Sequence, residues 1–375
     1  MGYYIAMSYI KFFFLIFVIS LIFESFYDIK GKKKALYLSV VFGIFFIVMG
    51  FRHYGMGNDT ANYYAMFLRI ARTNSIERYI ESSDVESGYV LYNWLLAQIS
   101  NNPRILFVTT SAIICISLAI FVYRNVSHPG VFCCLFVGLL QFGFFLSAMR
   151  QAIAVSILLY AVDALIRKRR LLFVLLCLLA ARFHNSAYAM LAMSMLLWNN
   201  ESKAENGNVI TYIVMFVVVV VFSVFFDRVW NGLLSIFPKY DYYTGSELTD
   251  GEPRLAIILK VAVYILLFIS PKIFKFKYEE KIELYNVGQK MSLIQIAMYM
   301  IASNATALGR LAGIFTVFAL AHFSNSFPRN MNKDNVVFLL VTLAFVFLYG
   351  LIIVILKTPD WQTTYPIYLQ FESIF

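Results

Sequence analysis

The chain has 375 residues, of which 61% are apolar and only 14% charged, with a net charge of +10. A soluble protein is nearer 45–50% apolar and 25% charged, so this composition excludes an ordinary soluble domain. No basic amphipathic stretch is long enough to hold a duplex, so the positive charge does not point to nucleic acid.

Apolar runs long enough to cross ~30 Å of hydrocarbon recur along the whole length, and the ~10-residue alternation of a membrane barrel is absent. The expected fold is an all-α polytopic integral membrane protein, one transmembrane domain over residues 1–375. In chain order the expected spans are 8–27, 35–51, 104–123, 131–148, 151–166, 171–183, 186–198, 209–226, 255–271, 288–304, 310–325 and 335–356, twelve in all. The first, "FFFLIFVISLIF", lacks a small-residue cleavage site and runs into lysines, so it reads as a retained helix. Cys115, Cys133, Cys134 and Cys177 all lie in apolar stretches without metal-ligand spacing, which predicts core packing.

The connections "DIKGKKK", "RKRR" and "PKIFKFKYEEK" carry the lysines and are expected in the cytoplasm. With twelve spans both termini face outward, and so do most arginines. Lysine inside is the ordinary orientation signal. Arginine outside runs against it, and its planar fork suits phosphate or carboxylate in a way lysine does not. The outer face therefore reads as a surface built for an anion.

Two outer loops are long. In 52–103, Phe67, Ile70 and Ala71 share one face of a helix expected to lie on the membrane surface. "GYVLYNWLLAQIS" is too short to span and reads as interfacial or re-entrant. The second loop, 227–254, carries "FPKYDYYTGSELTDGEP", whose rings, hydroxyls and carboxylates suit sugars or simply water.

"FFLSAMRQAIAVSILLY" places Arg150 inside an otherwise apolar run, where a mid-membrane charge costs at least ~2.5–3.5 kcal/mol. With "RKRR" cytoplasmic, the helix after Arg150 descends inward, so this arginine sits at its outer start. The same topology brings "AARFHNSA" and "NATALGRL" to outer turns. Arg150, Arg182, His184 and Arg310 then share one level from four helix ends. Singly, each has a bland reading: a snorkelling arginine, a structural histidine, Asp59 as a helix cap, Glu86 as a loop charge.

"FRHYGMGNDTANYY", "ESGYVLYNWLL", "SAMRQAIAVS", "ARFHNSA" and "GRLAGIF" follow one another as in EpsG-like proteins, membrane polymerases of exopolysaccharide and O-antigen units often grouped with Wzy polymerases. The resemblance covers roughly residues 35–325. Its matching positions are Arg52, Gly57, Asp59, Tyr63, Glu86, Gly88, Tyr89, Arg150, Gln151, Phe183, His184, Ser186 and Arg310.

The resemblance implies transfer of a glycan from undecaprenyl diphosphate to a sugar hydroxyl on a second lipid-linked unit. The enzyme would sit in a bacterial cytoplasmic membrane, its site facing the periplasm or exterior. Arg52, Arg150, Gln151, Arg182, Arg310, Tyr63 and Tyr89 would bind diphosphate and glycan, and His184, Asp59 or Glu86 would accept the proton. Neither metal nor cofactor is expected, since guanidiniums can hold the leaving group and the outer loops contain no Asp-x-Asp pair. The expected partners are the lipid-linked glycan, the bilayer and a chain-length regulator. A ligase, a glycosyltransferase using polyprenyl-phosphate sugars, and a flippase of the same lipids are the competing readings.

Overall fold

The computed structural model describes residues 5–194, 255–273, 282–302, 309–328, 331–357 and 364–371, with residue 197 and parts of 212–235. The expected loop 227–254 falls almost entirely outside these residues. Two compact units divide the chain: Met1–Leu191 with Arg329–Phe375, and Ala192–Pro328.

In the first unit, α1 (Tyr9–Ile22) and α2 (Gly31–Gly50) lead into three loop helices, α3 (Thr60–Ala71), α4 (Ile76–Ser82) and α5 (Ser87–Ala97). Then come α6 (Arg104–Asn125), α7 (Pro129–Gly138), α8 (Gln141–Ser147), α9 (Met149–Ile166), α10 (Arg170–Ala181), a 3-10 turn (Asn185–Ala187) and α11 (Tyr188–Ala192). The second unit contributes α12 (Leu255–Ile273), α13 (Ile282–Ala302) and α14 (Gly309–Ser324); α15 (Lys333–Lys357) returns to the first.

Among the described residues, four helices are long and apolar enough to cross a membrane: α2, α6, α9 and α15. A fifth span is available if the pair α7 and α8 is counted, which bends by 65°. The all-α membrane architecture holds, and of the twelve expected spans these four or five meet the length and composition of a crossing helix among the described residues. The apolar runs are longer than the helices they form. At 1.5 Å per residue, the 14 residues of α1 and 12 of α10 fall short of ~30 Å. The run 131–148 is broken where Leu140 adopts a left-handed conformation (φ 60°) beside the buried Gln141. The described part of 186–198 opens with the 3-10 turn and the five-residue α11.

Lys34 donates to the Val126 carbonyl just past α6, and Arg124 and Arg167 both reach Asp163, at 3.7 and 3.1 Å. The lysine-bearing start of α2, the end of α6 and the end of α9 thus share one end of the unit. All four cysteines are buried and free, as apolar filler would be.

One small element is not helical. β1 (Ile5–Met7) pairs antiparallel with β2 (Ile367–Leu369), and Arg52 bridges to Leu369. His53 donates to the Tyr368 carbonyl at 2.8 Å and Gln370 to that of Phe51 at 2.7 Å. Segments near both ends of the chain thereby clamp the exit of α2.

Candidate functional site

The clamp explains where Arg52 goes. Its side chain turns inward and is 1% exposed. Nη1 donates to the Met49 carbonyl, Nη2 lies 3.0 Å from Met149 Sδ, and the guanidinium sits 4.6 Å from the centre of the Phe107 ring. Arg104, fully buried, donates to the carbonyls of Arg52 (2.7 Å) and Gly50 (3.3 Å) and covers the Tyr54 ring at 4.3 Å. Burial, and after it the neighbouring Arg104, lowers the proton affinity of Arg52. The two arginines form a cationic floor, not an open clamp.

Above this floor the chain turns at Gly57 (φ +90°), where a Cβ would lie 2.6 Å from Thr60 Oγ1 and 3.2 Å from Ser147 Cα. Only glycine fits such a turn without strain. Asp59 follows at the N-cap of α3, yet its carboxylate makes no capping bond. One turn later the buried Tyr63 packs edge-on against Tyr89, with ring centres 5.7 Å apart, and its phenol hydrogen-bonds Arg150. Burial raises the Tyr63 phenol, Arg150 opposes that, and the Asp59 charge adds to it, which puts Asp59 within electrostatic reach.

Glu86 caps the start of α5, and Arg150 lies in the first turn of α9. Arg150 Nη1 donates to Glu86 Oε2 at 2.6 Å, with side-chain exposures of 24% and 9%. Glu86 Oε1 accepts from the Asn185 amide at 3.1 Å. Burial works against the Glu86 charge, but Arg150 and then His184 more than offset it, so its carboxyl lies below the ordinary value. A cation in the first turn of a helix is disfavoured by the helix dipole, which the Glu86 contact counters.

The third wall is the corner after α10. The Gly88 amide donates to the Arg182 carbonyl at 3.0 Å. His184 Nδ1 meets the Ser186 amide at 3.2 Å and Ser186 Oγ at 2.5 Å. A Cβ on Gly88 would stand 2.7 Å from the Arg182 carbonyl oxygen and 2.8 Å from its Cβ. Gly88→Ala must therefore push α5 off this corner, at a cost of about 1–3 kcal/mol. Its melting temperature in detergent is expected to fall, and activity with it. A melt and a rate both equal to wild type would show that the corner yields freely.

Tyr63, Tyr89, Glu86, Arg150 and His184 are thus brought together from four segments of one unit, with Asp59 beside Tyr63. The structure places others differently. Gln151 is buried, and the exposed Arg182 joins the site through its carbonyl. Arg310 is exposed in the first turn of α14, in the second unit. Sequence reasoning did not single out Met149, Arg104 or Asn185. The Asn-Ser pair after His184 is a turn signal that could have pointed to the Asn185 amide. Among the described residues no group of three or more His, Cys, Asp or Glu side chains is placed to hold a metal ion.

No curated protein and no solved structure matches this chain. The model of the EpsG family matches residues 34–368, nearly the whole length and every segment of the site described above. The chain is a member of the EpsG family.

Proposed function

We propose that this membrane protein is a polymerase that joins undecaprenyl-diphosphate-linked oligosaccharide units into a surface polysaccharide, at the outer face of a bacterial cytoplasmic membrane. Beside the family membership, the observation that carries this reading is the cluster at the starts of α3, α5 and α9. There Arg150 pairs with the Glu86 carboxylate and bonds Tyr63, His184 lies near the same carboxylate, and the buried Arg52 stands behind Met149.

In the proposed reaction a hydroxyl of the acceptor glycan attacks the anomeric carbon of the donor glycan. The carbon–oxygen bond to the lipid diphosphate breaks, and its electron pair stays on the departing oxygen. Donors aimed at that developing charge stabilise the transition state, and loss of one typically costs about 10²–10³ in rate. Arg150 is the central donor. Arg52 acts through its field and through Met149, on the residue preceding Arg150. Arg182 is a candidate for holding the diphosphate.

The hydroxyl's proton goes to Asp59. Glu86 is a weaker choice, because both its oxygens are engaged and its carboxyl holds a proton poorly. A chain-length regulator is the expected protein partner.

The test is purified full-length protein given a lipid-linked repeat unit in the presence of a strong chelator. A ladder of products is expected. One-unit transfer to a terminal acceptor without chain growth would make it a ligase, and transport without transfer would make it a flippase. Activity lost to the chelator and restored by magnesium or manganese would overturn the arginine-based account of the leaving group.

A further inference from the structure

His184 accepts the Ser186 amide hydrogen on Nδ1, at 3.2 Å, with Ser186 Oγ at 2.5 Å from the same nitrogen. A backbone N–H only donates, so Nδ1 must hold its lone pair toward it. In a neutral imidazole one nitrogen carries the hydrogen and the other accepts. The hydrogen therefore sits on Nε2.

We infer that Ser186 is a positioning residue that fixes His184 in the Nε2–H tautomer, and that His184 serves the site as a hydrogen-bond donor and not as the base. This rests on the polymerase reading above. It reverses the role that a histidine beside a reacting hydroxyl is first given.

The turn is held from two sides, which is what makes the tautomer firm. The Asn185 amide is tied to Glu86 Oε1 at 3.1 Å, and the Gly88 amide to the Arg182 carbonyl at 3.0 Å. Moving the ring proton to Nδ1 would turn Ser186 Oγ into the acceptor but set an N–H against the Ser186 amide N–H. Flipping the ring would give up both Ser186 contacts. The charged groups that face this turn are Glu86 from α5, paired with Arg150 from α9, and neither supplies a substitute acceptor for Ser186.

A neutral N–H donor is the right chemistry for the oxygen that gains charge as the lipid diphosphate departs. Its hydrogen bond strengthens as that charge grows, and no proton leaves His184. The acceptor's proton is taken by the Asp59 carboxylate. Atoms and charge balance without histidine turning over.

The test compares His184→Gln, His184→Ala and Ser186→Ala in the purified full-length protein with a lipid-linked repeat unit, alongside ¹⁵N spectra of histidine-labelled wild type. A glutamine amide nitrogen can stand where Nε2–H does and cannot act as a base. His184→Gln is expected within about tenfold of wild type, while His184→Ala loses about 10²–10³-fold. Ser186→Ala keeps the backbone amide and loses only Oγ, so it is expected to hold the Nε2–H tautomer and to stay within about tenfold of wild type. His184→Gln should also keep the wild-type pH profile between ~5 and 8, with no limb near the ordinary histidine value.

A glutamine variant as slow as alanine, beside an active wild type, would overturn the donor role. So would spectra that place the proton on Nδ1. A folded wild type that makes no polymer would sink the polymerase reading instead, with the tautomer still read directly from the spectrum.

Discussion

Arg150→Ala is expected to slow polymer formation by at least about 10²-fold, the scale of losing one donor to a developing anion. It should also destabilise the protein, because Glu86 keeps its charge at 9% exposure with its cation gone. Breaking a buried ion pair on one side costs about 3–5 kcal/mol, and the 24% exposure of Arg150 argues for the low end. Arg150→Lys keeps the charge but loses the fork that reaches both Glu86 and Tyr63. Losing one charge-assisted bond, on the order of 1.5–3 kcal/mol, gives roughly a 10- to 150-fold slower reaction.

The two roles of Arg150 separate in the double variant Arg150→Ala/Glu86→Gln. Removing both charges should restore most of the thermal stability and little of the activity. Recovery of both would show that Arg150 serves only to hold Glu86. An Arg150→Lys protein within about twofold of wild type would return this arginine to the status of a membrane anchor.

The pH dependence of the pair has a definite sign. The folded Glu86 carboxyl lies below its ordinary value, so its contribution to stability is complete above the ordinary carboxylate range, ~4.3. That contribution is lost as pH falls through the lowered folded value.

The place of Arg150 at a helix start was legible because a charge in an apolar run has few places to go, and the first turn of α9 is one of them. That Arg150 and His184 come together followed from placing helix ends by topology, whereas Glu86 was picked out only by the family motif. What the apolar runs did not carry was helix length. Hydropathy marks which residues tolerate lipid, but not where a helix stops, so α1 is shorter than its run and 131–148 conceals a 65° bend. The burial of Arg52 was not legible, for a different reason. Its inward turn depends on pairing residues 5–7 with 367–369, a non-local contact of three-residue strands that leaves no periodicity. An arginine two residues past an apolar helix looks like an outward anchor until that ribbon is seen.

Arg52→Met is expected to uncouple stability from catalysis. The guanidinium is 1% exposed and is held by the Met49 carbonyl, the Met149 thioether and the Phe107 ring, with Arg104 as a like-charged neighbour. Replacing a buried charge by an apolar side chain of similar length is often neutral or stabilising, because the desolvation cost disappears with it. The variant should therefore melt at or above the wild-type temperature. Truncation to alanine should not, since it leaves a cavity under Met149 and costs on the order of 2–4 kcal/mol. Activity should behave differently. A unit charge on the order of 10 Å from the leaving group, at an effective dielectric near 20, contributes about 1.7 kcal/mol. That is roughly a 15-fold slower reaction for a methionine variant that folds well. Because the lost interaction is with charge that grows as the bond breaks, the fall should appear in kcat more than in KM. The measurement is a thermal melt paired with initial polymerisation rates over a range of lipid-linked substrate. A stable Arg52→Met protein with the wild-type kcat would mean that the cationic floor only supports Met149 and gives the reaction no field.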